Sequence, residues 1–328
     1  MKKKMTLKGV WHLLRDSFQG FWDDKVFKLS GSLAYFTVFS IGPMLLVIIF
    51  LAQQFYGREA VEGSIYTQIK DFVGPAAAVQ IQDIIKNATL SDTSNFTAIV
   101  SFITLIVGAT TVFAEIQDSI NTIWNLKTKP EKGWLKMIIN RLLSFSMVVS
   151  LAFLLLVSLV INALMEGFGR RLEQVFPQVA VIILYIVNLL ITFCVITLLF
   201  GIIFKVLPDA KIKWKDVLTG AIVTALLFML GKFAITFYIS SSDIGSTYGT
   251  AGSLVILLLW IYYSAIILYF GAEFTKAYAA TYGNRIYPNN YAVWIKHIDV
   301  EEENGTLKQQ EQKKKEENDK TGDDIKVT

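Results

Sequence analysis

The chain is poor in the residues that build soluble catalytic centres and stapled folds. It holds one cysteine, Cys194, so no intrachain disulfide can form. Its two histidines, His12 and His297, stand near opposite ends with no acid cluster beside either. Hydrolytic metal centres need grouped His, Cys, Asp or Glu ligands, so no metal or other cofactor is expected. There is no glycine-rich phosphate loop of P-loop spacing and no serine elbow. Charged residues make up only 18% of 328 residues, below the ~25% of soluble globular chains. These shortages argue against an ordinary soluble enzyme and against a disordered, collagen-like or disulfide-rich chain. What is abundant is apolar: hydrophobic residues reach 53% and the mean hydropathy is +0.48.

A transmembrane helix needs about 20 mainly apolar residues, because a ~30 Å hydrocarbon core is crossed at ~1.5 Å per residue. Six stretches qualify, at about 29–53, 95–116, 140–165, 178–204, 215–240 and 248–275. From Val217 onward the fifth carries one charge, Lys232. The expected fold is all-α, a membrane bundle of six helices over residues 1–298. A charged tail, 299–328, is expected to be cytoplasmic and disordered. Lysine and arginine concentrate before the first span and after the second, fourth and sixth, which places both termini in the cytoplasm by the positive-inside rule. The same rule accounts for the basic loops, so no nucleic-acid partner is expected.

Near the start, Leu7, Val10, Trp11, Leu14, Phe18, Phe21 and Trp22 follow steps of three and four. That spacing predicts an amphipathic helix, lying in the membrane interface or packed on the cytosolic side of the bundle. No secretory signal peptide is expected. Between the first two spans, two short amphipathic stripes separated by Gly74-Pro75 predict a helical cap on the outer side.

Several segments carry a family likeness. Residues 31–43 read GSLAYFTVFSIGP, and 204–209 read FKVLPD, followed by Trp214 and Gly220-Ala221. Residues 248–253 read YGTAGS and lead into LVILLLWIYYSAIILYFGAEFTKA. Together with six spans in this order, these resemble the YihY/virulence factor BrkB family of bacterial inner-membrane proteins, over about residues 11–282. The resemblance implies a polytopic cytoplasmic-membrane protein without an established biochemical activity. Its members often carry a ribonuclease BN label, and transport and envelope roles have been suggested for them.

Within the spans, the second shows the clearest pattern. Thr97, Ser101, Thr104, Gly108, Thr111, Glu115, Asp118, Thr122 and Asn125 recur at alternating steps of four and three. All are small or polar in an otherwise Ile, Val, Phe and Leu helix, so this face is expected to point into the bundle. It serves either as a close-packing face or as a polar groove built on Ser101, Thr104, Gly108, Thr111, Glu115 and Asp118. Counting the rise, Glu115 and Glu273 reach the inner boundary, where Arg141 and Lys205 also lie, and these four are candidates for a charged inner mouth. The alternative is that they are interfacial charges facing headgroups. Gly42-Pro43 is expected to kink the first span, and Gly249 and Gly252 to loosen the outer end of the sixth. Tyr185, Asn188 and Thr192 share a face expected to hydrogen-bond between helices.

An ionisable residue inside a span is a functional candidate by default, since lysine at the centre costs ~2.5–3.5 kcal/mol on the insertion scale. Lys232 is expected either to snorkel to the outer headgroups or to point inward. Inward, it would meet Glu166, Asp243 or an anionic substrate group. The leading functional expectation is passage or flipping of a solute or amphiphile across the cytoplasmic membrane, not enzymatic catalysis. The alternatives are an envelope scaffold or regulator and, third, an intramembrane enzyme. The expected partner is the lipid bilayer; the substrate, a second copy of the chain and an envelope protein stay open.

Overall fold

The structure, a computed structural model, describes residues 6–56, 78, 79, 82, 95–129, 142, 143, 146, 147, 149–151, 153, 154, 157, 177–242 and 252–295. The chain divides into two units, Met1–Trp294 and Ile295–Thr328. The expected outer cap lies almost wholly outside the described residues, and the charged tail lies wholly outside them.

Helix α1 runs Leu7–Asp23 and is capped by Thr6, whose Oγ1 accepts the Gly9 amide at 3.2 Å. It stops at a tight turn in which Lys25 adopts a positive φ of 53° and its amide bonds the Trp22 carbonyl. Helix α2, Val26–Tyr56, follows at once and keeps helical backbone through Gly42 and Pro43. Helix α3 is Asn95–Ile123, seven residues longer than the apolar stretch predicts. Asn125, with φ 56°, turns the chain out of it; asparagine tolerates this left-handed conformation better than most residues. Helices α4, Pro177–Val206, α5, Trp214–Ser241, and α6, Gly252–Thr281, complete the long elements. The described residues between 142 and 157 are also helical. Among the described residues, Ile186–Val206, Trp214–Ile239 and Leu254–Thr281 are long and apolar enough to cross a membrane.

Helix α6 is the hub: α1, α2 and α5 pack on it, α3 packs on α2, and α4 packs on α5. The core is densest where Phe204, Leu207, Val217, Ala221, Tyr269, Ala272, Ile120 and Ile123 meet. The α5–α6 seam uses a reciprocal device. Gly220 faces Thr275 and Gly271 faces Thr224, so closely that a Cβ on either glycine would sit 2.9 Å from the opposing threonine Cβ. Each threonine hydroxyl in turn donates at 2.7 Å to the carbonyl of the glycine one turn earlier in its own helix. The hydroxyls are thereby satisfied without a cross-helix partner, and small residues allow the backbones to approach, as in membrane helix pairs generally.

Four short strands were not foreseen. β1, Leu126–Thr128, pairs antiparallel with β4, Ala292–Trp294, and β2, Ala210–Lys211, with β3, Tyr287–Pro288. Two or three residues carry no readable alternation, so these pairings are set by the helix ends they join. They tie the chain after α6 back to the ends of α3 and α4.

Helix α1 is amphipathic, as its spacing predicts. Leu13, Ser17 and Phe21 are buried, and Gly20 lies against Glu273 of α6. Trp11, Phe18 and Trp22 stay exposed.

Candidate functional site

The polar stripe of α3 falls differently from the expectation. Gly108, Thr111 and Glu115 are half-buried, whereas Asp118 and Thr122 are exposed. The buried polar residues of this half are Thr110, Gln117, Ser119 and Asn121. The reason is the length of α3. Polar residues avoid a lipid-facing surface, but that argument lapses where the helix runs beyond the apolar stretch. The hydroxyls of Thr111 and Thr122 donate to carbonyls of α3 itself, at 2.8 and 2.9 Å. The side chains of Ser101 and Thr104 lie outside the described part.

The inner-mouth candidates engage separate partners. Lys205 donates to the Ile212 carbonyl and lies over the Trp214 ring, 5.9 Å from its centroid. It fastens the turn between α4 and α5. Glu273, only 2% exposed, pairs with Lys276 at 3.5 Å, and Lys276 bonds Asp24 of the α1–α2 turn at 3.0 Å. Glu273 therefore helps seat α1 on α6. Arg141, Glu166, Asp243 and Gly249 lie outside the described residues. Gly252 begins α6 and is buried.

A polar knot that the sequence did not reveal closes this end of the helices. Asp209, 1% exposed, ends the FKVLPD segment. Its carboxylate accepts from Gln117 Nε2 and Asn121 Nδ2, both at 3.0 Å. Its own amide donates to Asn121 Oδ1 at 2.9 Å, and its carbonyl accepts from the Asn289 amide at 2.9 Å. Gln117 and Asn121 are one turn apart on α3, so one residue ties α3 through its carboxylate and the β3–β4 segment through its carbonyl to the chain after α4. Nearby, Trp124 Nε1 donates to the Ala272 carbonyl at 3.1 Å. Burial pushes the Tyr291 phenol above its ordinary range, and the neighbouring Asp209 charge adds to the shift. Likewise Asp216 at the start of α5 accepts the Asn284 amide at 2.9 Å. With every carboxylate oxygen of Asp209 engaged by an amide, this knot reads as a structural clamp.

A feature with room for a ligand lies, among the described residues, toward the other end of α4 and α5. A cleft of about 500 Å³ opens between them, lined by Asn188, Thr192, Lys232 and apolar neighbours. That volume lies within the ~300–1,000 Å³ of small-molecule sites. Lys232 is half-buried, on the same side of α5 as buried Ala221 and Ala225. Seven residues separate it from Ile239, the end of the apolar stretch, which is about 10 Å at ~1.5 Å per residue. The hydrogen bond expected between helices is made within α4: Thr192 Oγ1 donates to Asn188 Oδ1 at 3.2 Å. Among the described residues no group of three His, Cys, Asp or Glu is placed to hold a metal ion.

Long apolar helices packed through glycine and threonine, with charges kept to their ends and to one cleft, define a helical integral membrane protein. The chain belongs to the virulence factor BrkB family, whose sequence profile matches residues 17–292. It is 30% identical over 279 residues to a UPF0761 membrane protein of Stenotrophomonas maltophilia strain K279a, covering 83% of this chain and 60% of that one. It is 27% identical to a UPF0761 membrane protein of Tolumonas auensis, covering 77% and 81% of the two chains. For one from Alteromonas mediterranea the identity is 26% and the coverage 87% and 95%. The chain thus spans about 60% of the length of the Stenotrophomonas relatives it matches. These descriptions name a membrane protein and a virulence factor and no enzymatic activity. No solved structure matches the chain.

Proposed function

We propose that the protein moves a solute across the cytoplasmic membrane, with both termini in the cytoplasm, and that it is not an enzyme. The observation that carries this reading is the cleft between α4 and α5. A lysine within a helix long enough to span the membrane stands there beside an asparagine and a threonine, in a space of about 500 Å³. An ionisable residue inside a span is a functional candidate by default. Movement of the occupant would need the flanking helices to shift, and Gly42-Pro43, Gly249 and Gly252 are the proposed hinges. The comparison families supply a membrane location but no cargo.

Reconstitution into sealed vesicles tests the reading. A panel of fluorescent anionic, zwitterionic and neutral amphiphiles, with small soluble anions beside them, is followed across the bilayer. At least one class should cross faster than in protein-free vesicles. If none does, in either orientation of an imposed pH gradient, the transport reading fails.

A further inference from the structure

The chemistry of the α4–α5 cleft selects its occupant. On α4, Leu184, Asn188, Thr192 and Ile196 follow one another at four-residue steps and all line the cleft. Residues at that spacing form a single stripe, so the polar pair sits mid-cleft with an aliphatic residue above and below. Met229, Lys232 and Phe233 of α5 face this stripe across the opening.

The opening faces the apolar outside of the helices. Phe233 lines the cleft and is yet 62% exposed. Leu230 and Phe237 on α5 and Leu190 on α4 continue this exposed apolar surface. In a bilayer that surface meets acyl chains. A fully hydrated ion would have to shed its water to enter by this route, whereas a molecule with its own hydrocarbon chain enters along it.

Thr192 donates to Asn188 Oδ1, and the two N–H groups of the Asn188 amide remain to donate. Lys232 has interactions within the protein, but an ammonium carries three donors and no acceptor. None of the described lining residues is acidic. The described lining thus brings one ammonium group and amide N–H groups to the cleft, and charge-assisted bonds of this kind to an oxyanion are the strong ones.

We propose that the cleft binds an acyl amphiphile with an oxyanion headgroup, a single phosphate or carboxylate. The headgroup lies between Lys232 and Asn188, and the chain passes over Phe233 and Leu184. This deepens the transport reading and rests on it only for what the binding serves.

The full chain in phosphatidylcholine nanodiscs is titrated with phosphatidic acid, a free fatty acid, uncharged diacylglycerol and inorganic phosphate, and bound lipid is counted by native mass spectrometry. Phosphatidic acid and the fatty acid should bind saturably. Lys232→Arg should keep that binding, and Lys232→Met should weaken it at least about ten-fold, which is ~1.4 kcal/mol. Phe233→Ala should weaken binding of both amphiphiles while leaving the protein monodisperse. Inorganic phosphate at equal concentration should not compete. Unchanged binding by Lys232→Met, equal binding of diacylglycerol, or displacement by inorganic phosphate would each overturn the assignment. Saturable binding without movement across vesicles would sink the transport reading and leave this site standing. Movement indifferent to Lys232→Met would do the reverse.

Discussion

Removing the Asp209 side chain should loosen the end of the bundle where α3 and α4 meet the short strands. In Asp209→Ala, Gln117 Nε2 and Asn121 Nδ2 each lose an acceptor 3.0 Å away. Both donor residues are buried, at 0% and 5% exposure. A buried donor that loses its acceptor costs ~1–3 kcal/mol, so the two together cost up to about 6 kcal/mol. Against this stands relief from holding a carboxylate out of water, since burying an ion is itself expensive. The net expectation is about 2–4 kcal/mol of destabilisation. Asp209→Asn keeps one acceptor and turns an amide N–H₂ toward a donor, so it should cost about half as much. Asn121→Asp places a second carboxylate where a donor now stands and should be at least as damaging as Asp209→Ala. Relative stability is read from unfolding of purified protein in one detergent, followed by tryptophan fluorescence, because Trp124 adjoins the knot. The double variant Asp209→Ala with Asn121→Ala should cost less than the sum of its parts, as expected for neighbours sharing one network. An Asp209→Ala protein as stable as the parent, or strict additivity of the pair, would refute the clamp.

Three further outcomes follow from the same packing. Gly220→Ala and Gly271→Ala should each destabilise by about 1–3 kcal/mol, the usual cost of overpacking, since the new Cβ meets Thr275 or Thr224. Combining Gly271→Ala with Thr224→Ala should recover part of the loss in the same unfolding assay. The raised Tyr291 phenol predicts an alkaline limb. Its contribution is complete below the ordinary tyrosine value of ~10 and is lost as pH rises through the higher folded value, because the unfolded chain releases its proton first. Tyr291→Phe should flatten that limb in a stability-against-pH series, and a limb of unchanged slope would exclude Tyr291 as its source. In a Cys194→Ala background, a cysteine at Thr89 should react with an impermeant maleimide from outside intact cells. One at Thr128 should react only after the membrane is opened; the reverse pattern would overturn the proposed orientation.

The long elements were legible because their signals are long. Apolar runs of 20 or more residues gave α4 and α5 to within two residues at either end, and a three-four rhythm gave α1. Helices α3 and α6 continue past the point where the predicted spans stop, to Ile123 and Thr281. Beyond it the rules change. On α3 the stripe through Thr111, Glu115, Asp118 and Thr122 was read as inward because polar residues shun lipid, yet Gln117 and Asn121 hold the buried positions. Their i, i+4 spacing was visible in the sequence. Their partner Asp209, 88 residues on from Asn121, was visible only as part of a family motif.

The cleft shows the complementary limit. Lys232 was conspicuous as a charge inside an apolar run, and Asn188 and Thr192 as a polar pair on one face, but sequence offered nothing to bring the two observations together. A hydrogen bond between helices was the natural use for the pair, because a lone hydroxyl in hydrocarbon needs a partner. The structure supplies that partner within α4 itself, and the helix neighbour is then free to stand back. The local bond engages the Asn188 oxygen, and the amide N–H groups remain to donate. Replacing Thr192 by valine removes that bond and frees the Asn188 amide to turn its oxygen toward Lys232. The consequence is a site with one donor group fewer and a further internal partner for the lysine. Thr192→Val should therefore weaken an anionic amphiphile, and Thr192→Ser, which restores the hydroxyl, should recover it. Equal binding by the valine and serine variants would show that the local bond has no part in setting what the cleft accepts.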